Sequence, residues 1–168
     1  MNALLSVLTA LRRVCLWLAI AATAVLFLVV SFNILARAVV DATGGEINFM
    51  IFGAIELSQY ALMVSIFAAL PAMLGTGLIR VDILSRQFPP WLGKIADALW
   101  LFLIAAFGAV LTFAFLDFAQ TAFARGDQTQ DLRWPLWPFY AIATFECAAL
   151  AILASAAALG FAPEAGEA

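Results

Sequence analysis

Four long apolar runs decide what this chain can fold into. A bilayer's hydrocarbon core is ~30 Å thick and an α-helix rises ~1.5 Å per residue, so about 20 mostly apolar residues make one crossing. Val14 to Ala36 carries no charge between Arg13 and Arg37, Leu57 to Ile79 none between Glu56 and Arg80, and Ala98 to Leu116 none between Asp97 and Asp117. The fourth run, Pro138 to Leu159, is interrupted by Glu146 alone. With their flanks these runs set spans at about 14–36, 55–79, 96–117 and 138–159, in a single membrane domain covering residues 1–168. The composition agrees, since 66% of residues are apolar and 11% charged, against ~45–50% and ~25% in soluble domains. The expected fold class is all-α integral membrane, with four transmembrane helices.

The first run follows Arg12 and Arg13 and contains small residues, as a secretory signal does, but it continues through Val25 to Val30. That is well beyond the 7–15 apolar residues of a signal core, so it reads as an uncleaved anchor. Orientation follows from Lys and Arg, which resist translocation. The head, second connection and tail share a side that holds Arg12, Arg13, Arg80, Arg86 and Lys94, against Arg37, Arg125 and Arg133 on the other. Both termini are therefore expected in the cytoplasm. Between the second and third spans, at about 81–95, an amphipathic interfacial helix is expected. After Pro89-Pro90, the residues Trp91, Leu92, Ile95 and Leu99 share one face, while Lys94 and Asp97 lie opposite. Pro90 suits a first helical position, and the piece is expected to run on into the third span.

Several functions are excluded by what the chain lacks. A net charge of −3 gives no basic field for nucleic acid. With no His, and with Cys15 and Cys147 far apart, no common metal, haem or iron–sulfur site is expected, nor a mutual disulfide, and no cofactor is implied. The connections contain no phosphate loop or nucleophile elbow, so the chain does not read as an enzyme.

The polar residues that remain are the candidates. Glu146 is the deepest charge, and intramembrane acids are costly and usually face a protein interior or a water path. Three readings fit it: an ion-coupling site, a hydrogen-bonded carboxyl inside the bundle, or the partner of a cation on another chain. Arg37 and Glu56 sit at the same ends of spans one and two, where an ion pair is feasible. Asn33 is one turn from Arg37 on the same helix face. That polar face suits a partner or a lipid headgroup, or else a snorkelling Arg beside a bundle-facing Asn. Trp134-Pro135-Leu136-Trp137-Pro138-Phe139-Tyr140 reads as an aromatic interfacial belt. Beside Asp127, Asp131 and Arg133 it also suits a docking surface for an external protein. Pro71, with Gly75-Thr76-Gly77 after it, predicts a kink in the second span.

In order and spacing the polar interruptions resemble the small membrane subunit of tripartite ATP-independent periplasmic (TRAP) transporters. The first span ends Asn33-Ile34-Leu35-Ala36-Arg37. The second opens Ile55-Glu56-Leu57-Ser58-Gln59-Tyr60 and leads to Gly77-Leu78-Ile79-Arg80-Val81-Asp82-Ile83-Leu84. Gly126-Asp127-Gln128-Thr129 and Trp134 to Pro138 precede the last span. The resemblance covers about residues 10 to 160. It implies a bacterial inner-membrane complex in which a periplasmic solute-binding protein delivers an organic acid to a large membrane subunit that carries the substrate and sodium sites. The small subunit would scaffold the large one and help dock the binding protein. On that basis Asn33, Arg37, Glu56, Arg80 and Asp82 are expected to contact subunits or membrane lipids, and Asp131, Trp134 and Trp137 to form the periplasmic docking face. The competing expectation is a self-sufficient small ion-coupled transporter that uses Glu146.

Overall fold

The computed structural model describes residues 2–46, 49–74 and 90–161. Among them are four helices, α1 (Asn2–Ala42), α2 (Ala54–Ala72), α3 (Pro90–Arg125) and α4 (Trp137–Ala158). The described residues form no strand, only an isolated antiparallel bridge between Gln128 and Pro135. All four helices are long and apolar enough to cross a membrane. Only closed hydrogen-bonded elements of this kind satisfy their backbones in lipid.

The helices pack as two antiparallel pairs, α1 with α2 and α3 with α4, and α2 against α4 joins the pairs. Up-and-down order places the described parts of the first connection, 43–46 and 49–53, at the same end as the connection 126–136. Each pair is held by small residues. On α1, Leu8, Cys15, Val29 and Ala36 are buried at intervals of seven or multiples of it. Between them, Leu5, Arg12, Ala19, Leu26, Asn33 and Val40 are buried or half-buried at the same period. This is a heptad seam of the kind that winds two helices together in a shallow left-handed crossing. On α2, Ala54, Ala61 and Ala68 answer it at the same period. Lipid is as apolar as a side chain, so burial alone drives nothing here; close backbone approach and the dispersion contacts it allows hold the helices.

The α3–α4 contact is closer still. A Cβ on Gly108 would lie 2.9 Å from the backbone N of Ala151 and 3.1 Å from the carbonyl O of Cys147. No residue but glycine leaves that space. α4 is the best-buried helix, with Ala143, Glu146, Cys147, Ala149, Leu150, Leu153 and Ala154 all inside.

α1 is much longer than its uncharged run. At 41 residues it extends about 60 Å, twice a hydrocarbon core. The Thr23 and Ser65 hydroxyls hydrogen-bond at 2.6 Å, which sets the register of α1 against α2. Ala54, the first residue of α2, is eleven residues before Ser65 and hence level with Ile34. α1 continues eight more residues to Ala42, projecting about 12 Å further. At the other end the Arg12 Nε donates to the Ala72 carbonyl at 3.0 Å. A cation there satisfies an unpaired last-turn carbonyl and suits the negative end of the helix dipole.

Pro71 is buried in the last turn of α2, one residue before the helix ends. Gly75 to Gly77 and residues 81–89 of the expected interfacial segment lie outside the described residues. From Pro90 onward the helix runs without a break through the third apolar run to Arg125.

Candidate functional site

The most organised polar structure is at the end where the two connections meet. α3 stops at Gly126, whose φ of +67° a side chain would resist. The Asp127 N–H bonds back to the Ala122 carbonyl at 3.0 Å, the usual way for a glycine-terminated helix to satisfy its last turn. The chain then makes a short closed loop. Thr129 N–H donates to the Trp134 carbonyl at 2.8 Å, and Leu136 N–H to the Asp127 carbonyl at 3.0 Å. The Trp134 N–H in turn donates to the Thr129 hydroxyl at 3.1 Å, and Thr129 is only 5% exposed. Arg133 takes a positive φ of 53°, which reverses the chain at the tip.

The tip's own backbone donors are met by another helix. In the first turn of α2, Glu56 Oε1 accepts the Asp131 N–H at 2.9 Å, and Oε2 accepts the Leu132 N–H at 3.1 Å. Both carboxylate oxygens are thus committed to adjacent loop amides, a charge-assisted arrangement stronger than neutral pairs. Leu132 sits on the backbone of Gly53, where an added Cβ would lie 2.6 Å from the Leu132 Cγ. Gly53 also has a φ of +70°, so glycine is required there twice over.

Aromatic rings pack beneath this loop. Tyr60 of α2 stacks on Phe139 of α4 with centroids 4.3 Å apart. Phe118 meets Tyr140, and Phe67 meets Phe115, at 5.9 and 5.0 Å. Trp137 stands edge-on to Phe123 at 5.7 Å. Trp134 and Trp137 nevertheless stay 48% and 41% exposed, and Asp131 is exposed beside them. The loop thus presents two large rings and a carboxylate on a backbone fixed from behind.

Of the residues singled out from the sequence, Glu56, Asp131 and Trp134 come together here, with Trp137 adjoining. Glu56 is engaged by the loop amides and not by Arg37. Arg37 is exposed on the projecting part of α1, while Asn33, one turn away, is half-buried in the heptad seam. Arg80 and Asp82 lie outside the described residues. Glu146 is far from the loop, 0% exposed in the interior of the bundle. Neither of its carboxylate oxygens has a hydrogen-bond partner among the described residues. Cys15 and Cys147 are free and buried. Among the described residues, no three His, Cys, Asp or Glu side chains cluster to hold a metal ion.

Sequence reasoning missed Gly53, Leu132 and Gly108, and it quoted Thr129 without seeing that its hydroxyl and amide close the loop. A glycine just before an apolar helix start, as Gly53 is, was a readable signal; Leu132 in a polar connection was a second. An apolar crevice of about 130 Å³ lies between α2, α3 and α4, lined by Leu70, Leu74, Trp100, Ile104, Phe107 and Leu150. It suits hydrocarbon, not a charged solute.

A family model described as "Tripartite ATP-independent periplasmic transporters, DctQ component" matches residues 26–162. No curated protein and no solved structure matches the chain.

Proposed function

The chain belongs to the DctQ component family of tripartite ATP-independent periplasmic transporters, and from that premise we propose that it is a static scaffold for the large transport subunit. In this reading it also offers the 127–136 loop to a periplasmic solute-binding protein during sodium-coupled import of an organic acid. It lies in the bacterial inner membrane with both termini cytoplasmic. Arg37, Arg80 and Asp82 contact the large subunit or lipid headgroups, while Asn33 contributes to the seam behind Arg37.

The observation that carries this reading is the loop itself. Asp131, Trp134 and Trp137 are exposed on a backbone held by a second helix, and rigid exposed aromatics are what protein recognition sites use. The rest of the bundle supports a scaffold, since small residues line its helix contacts and, among the described residues, Glu146 is the one charged side chain buried in its interior. Purification of the tagged chain from its native membrane in mild detergent, with mass spectrometry of what accompanies it, is the test. A stoichiometric, larger polytopic protein is expected. A lone homo-oligomer would refute the scaffold.

One observation favours the second reading, a self-sufficient ion-coupled transporter: the unpartnered, buried Glu146 carboxyl. Proteoliposomes containing this chain alone decide it, because ion-driven flux that disappears in Glu146→Gln is expected there and not from a scaffold.

A further inference from the structure

Glu56 spends both oxygens inside the chain, and this changes what it does for the surface above it. The loop has few means of holding its own shape. The hydrogen bonds between Thr129 and Trp134 close its base. They leave the tip, 130–133, with a left-handed Arg133 and two adjacent amides that no loop carbonyl accepts. Those amides point at one carboxylate on α2. Leu132 is seated over Gly53, three residues before that carboxylate, so the same turn of α2 grips the tip by charge and by shape. Trp134 follows directly after the residue of positive φ and joins the tip to the base that Thr129 closes.

We propose that Glu56 is a positioning residue for docking: it clamps the tip so that the Asp131 carboxylate, and Trp134 next along the chain, stand ready for the solute-binding protein. This rests on the proposed docking role of the loop. Glu56 itself touches no partner. Its effect reaches the partner through Trp134 and Asp131, whose side chains remain exposed while the backbone beneath them is tied down. Preorganisation of this kind lowers the ordering cost of association without adding a contact.

The test uses the assembled transporter in nanodiscs and two readouts: hydrogen exchange of peptides spanning 127–136, and affinity for the cognate solute-binding protein. E56Q is expected to speed exchange at Asp131 and Leu132 at least tenfold and to weaken docking by about as much. W134A is expected to weaken docking and leave those amides protected. In W134A/E56Q the second substitution is expected to add less than it costs alone, because the two share Trp134 as one route to the partner; a merely structural loss would add in full. G53A, which drives a methyl into Leu132, disturbs the loop independently and is expected to reproduce E56Q. Unchanged exchange in E56Q overturns the clamp. Faster exchange with normal docking overturns the positioning role if W134A still weakens docking. If neither variant weakens docking, the loop is not the docking surface and the premise fails instead.

Discussion

Replacing Gly108 with alanine tests the claim that the bundle is held by backbone proximity. The new Cβ would stand 2.9 Å from the Ala151 N, 3.1 Å from the Cys147 O and 3.2 Å from the Ala151 Cα. All three are backbone atoms of α4 and none can rotate away, so the helices must part by roughly half an ångström to restore ordinary contact. A gap of that size forfeits about a quarter of each dispersion contact along the seam, and overpacking of this kind costs about 1–3 kcal/mol. In water Gly→Ala in a helix would return ~1 kcal/mol of propensity. In a membrane that gain largely vanishes, because a helix parted from its neighbours stays helical in lipid. The net effect is therefore a loss, about tenfold in the folding equilibrium. Gly93 supplies the control, since it lies on the same helix and a Cβ there meets nothing within 4 Å; Gly93→Ala should show no loss. Equilibrium unfolding in mixed micelles of dodecyl sulfate and a mild detergent, followed by tryptophan fluorescence, measures both. If Gly108→Ala matched wild type or exceeded it while Gly93→Ala behaved alike, close approach would not be what holds α3 to α4.

Three further outcomes follow from the same geometry. Glu146→Leu removes a buried carboxyl with no hydrogen-bond partner and should stabilise the isolated chain by about 1–3 kcal/mol; destabilisation in the same unfolding assay would mean that the carboxyl has a role in packing. Arg12→Ala strips the Ala72 carbonyl of its donor and should cost about 1–2 kcal/mol. Arg12→Lys should recover part of that, and hydrogen exchange in the last turn of α2 reports it locally. Arg37→Ala, at an exposed position on projecting α1, should leave the chain's stability within about 0.5 kcal/mol but reduce copurification with the large subunit; unaltered association would leave Arg37 as a snorkelling side chain.

What could be read from residues alone was whatever depends on length and polarity. Four apolar runs meant four helices, because lipid accepts no other spanning backbone. The order of polar interruptions, Asn33-to-Arg37, Glu56, and the Trp134-to-Pro138 segment, pointed to the family that residues 26–162 match. The heptad of Leu8, Cys15, Val29 and Ala36 was also present to be read, but its seam is faint in a helix that is apolar nearly all round, where periodicity barely separates inside from lipid. Tertiary structure alone decided where Glu56 points. Sequence placed it near Arg37, at the same end of the neighbouring helix, where an ion pair was feasible and a subunit or lipid contact was expected. The fold brings a loop more than seventy residues away over the start of α2, where two amides unmatched in their own loop need an acceptor. It also decided that Glu146 faces inward, with no hydrogen-bond partner among the described residues. Polarity along a chain says which groups need partners, and only the packing of helices says which partners come within 3 Å.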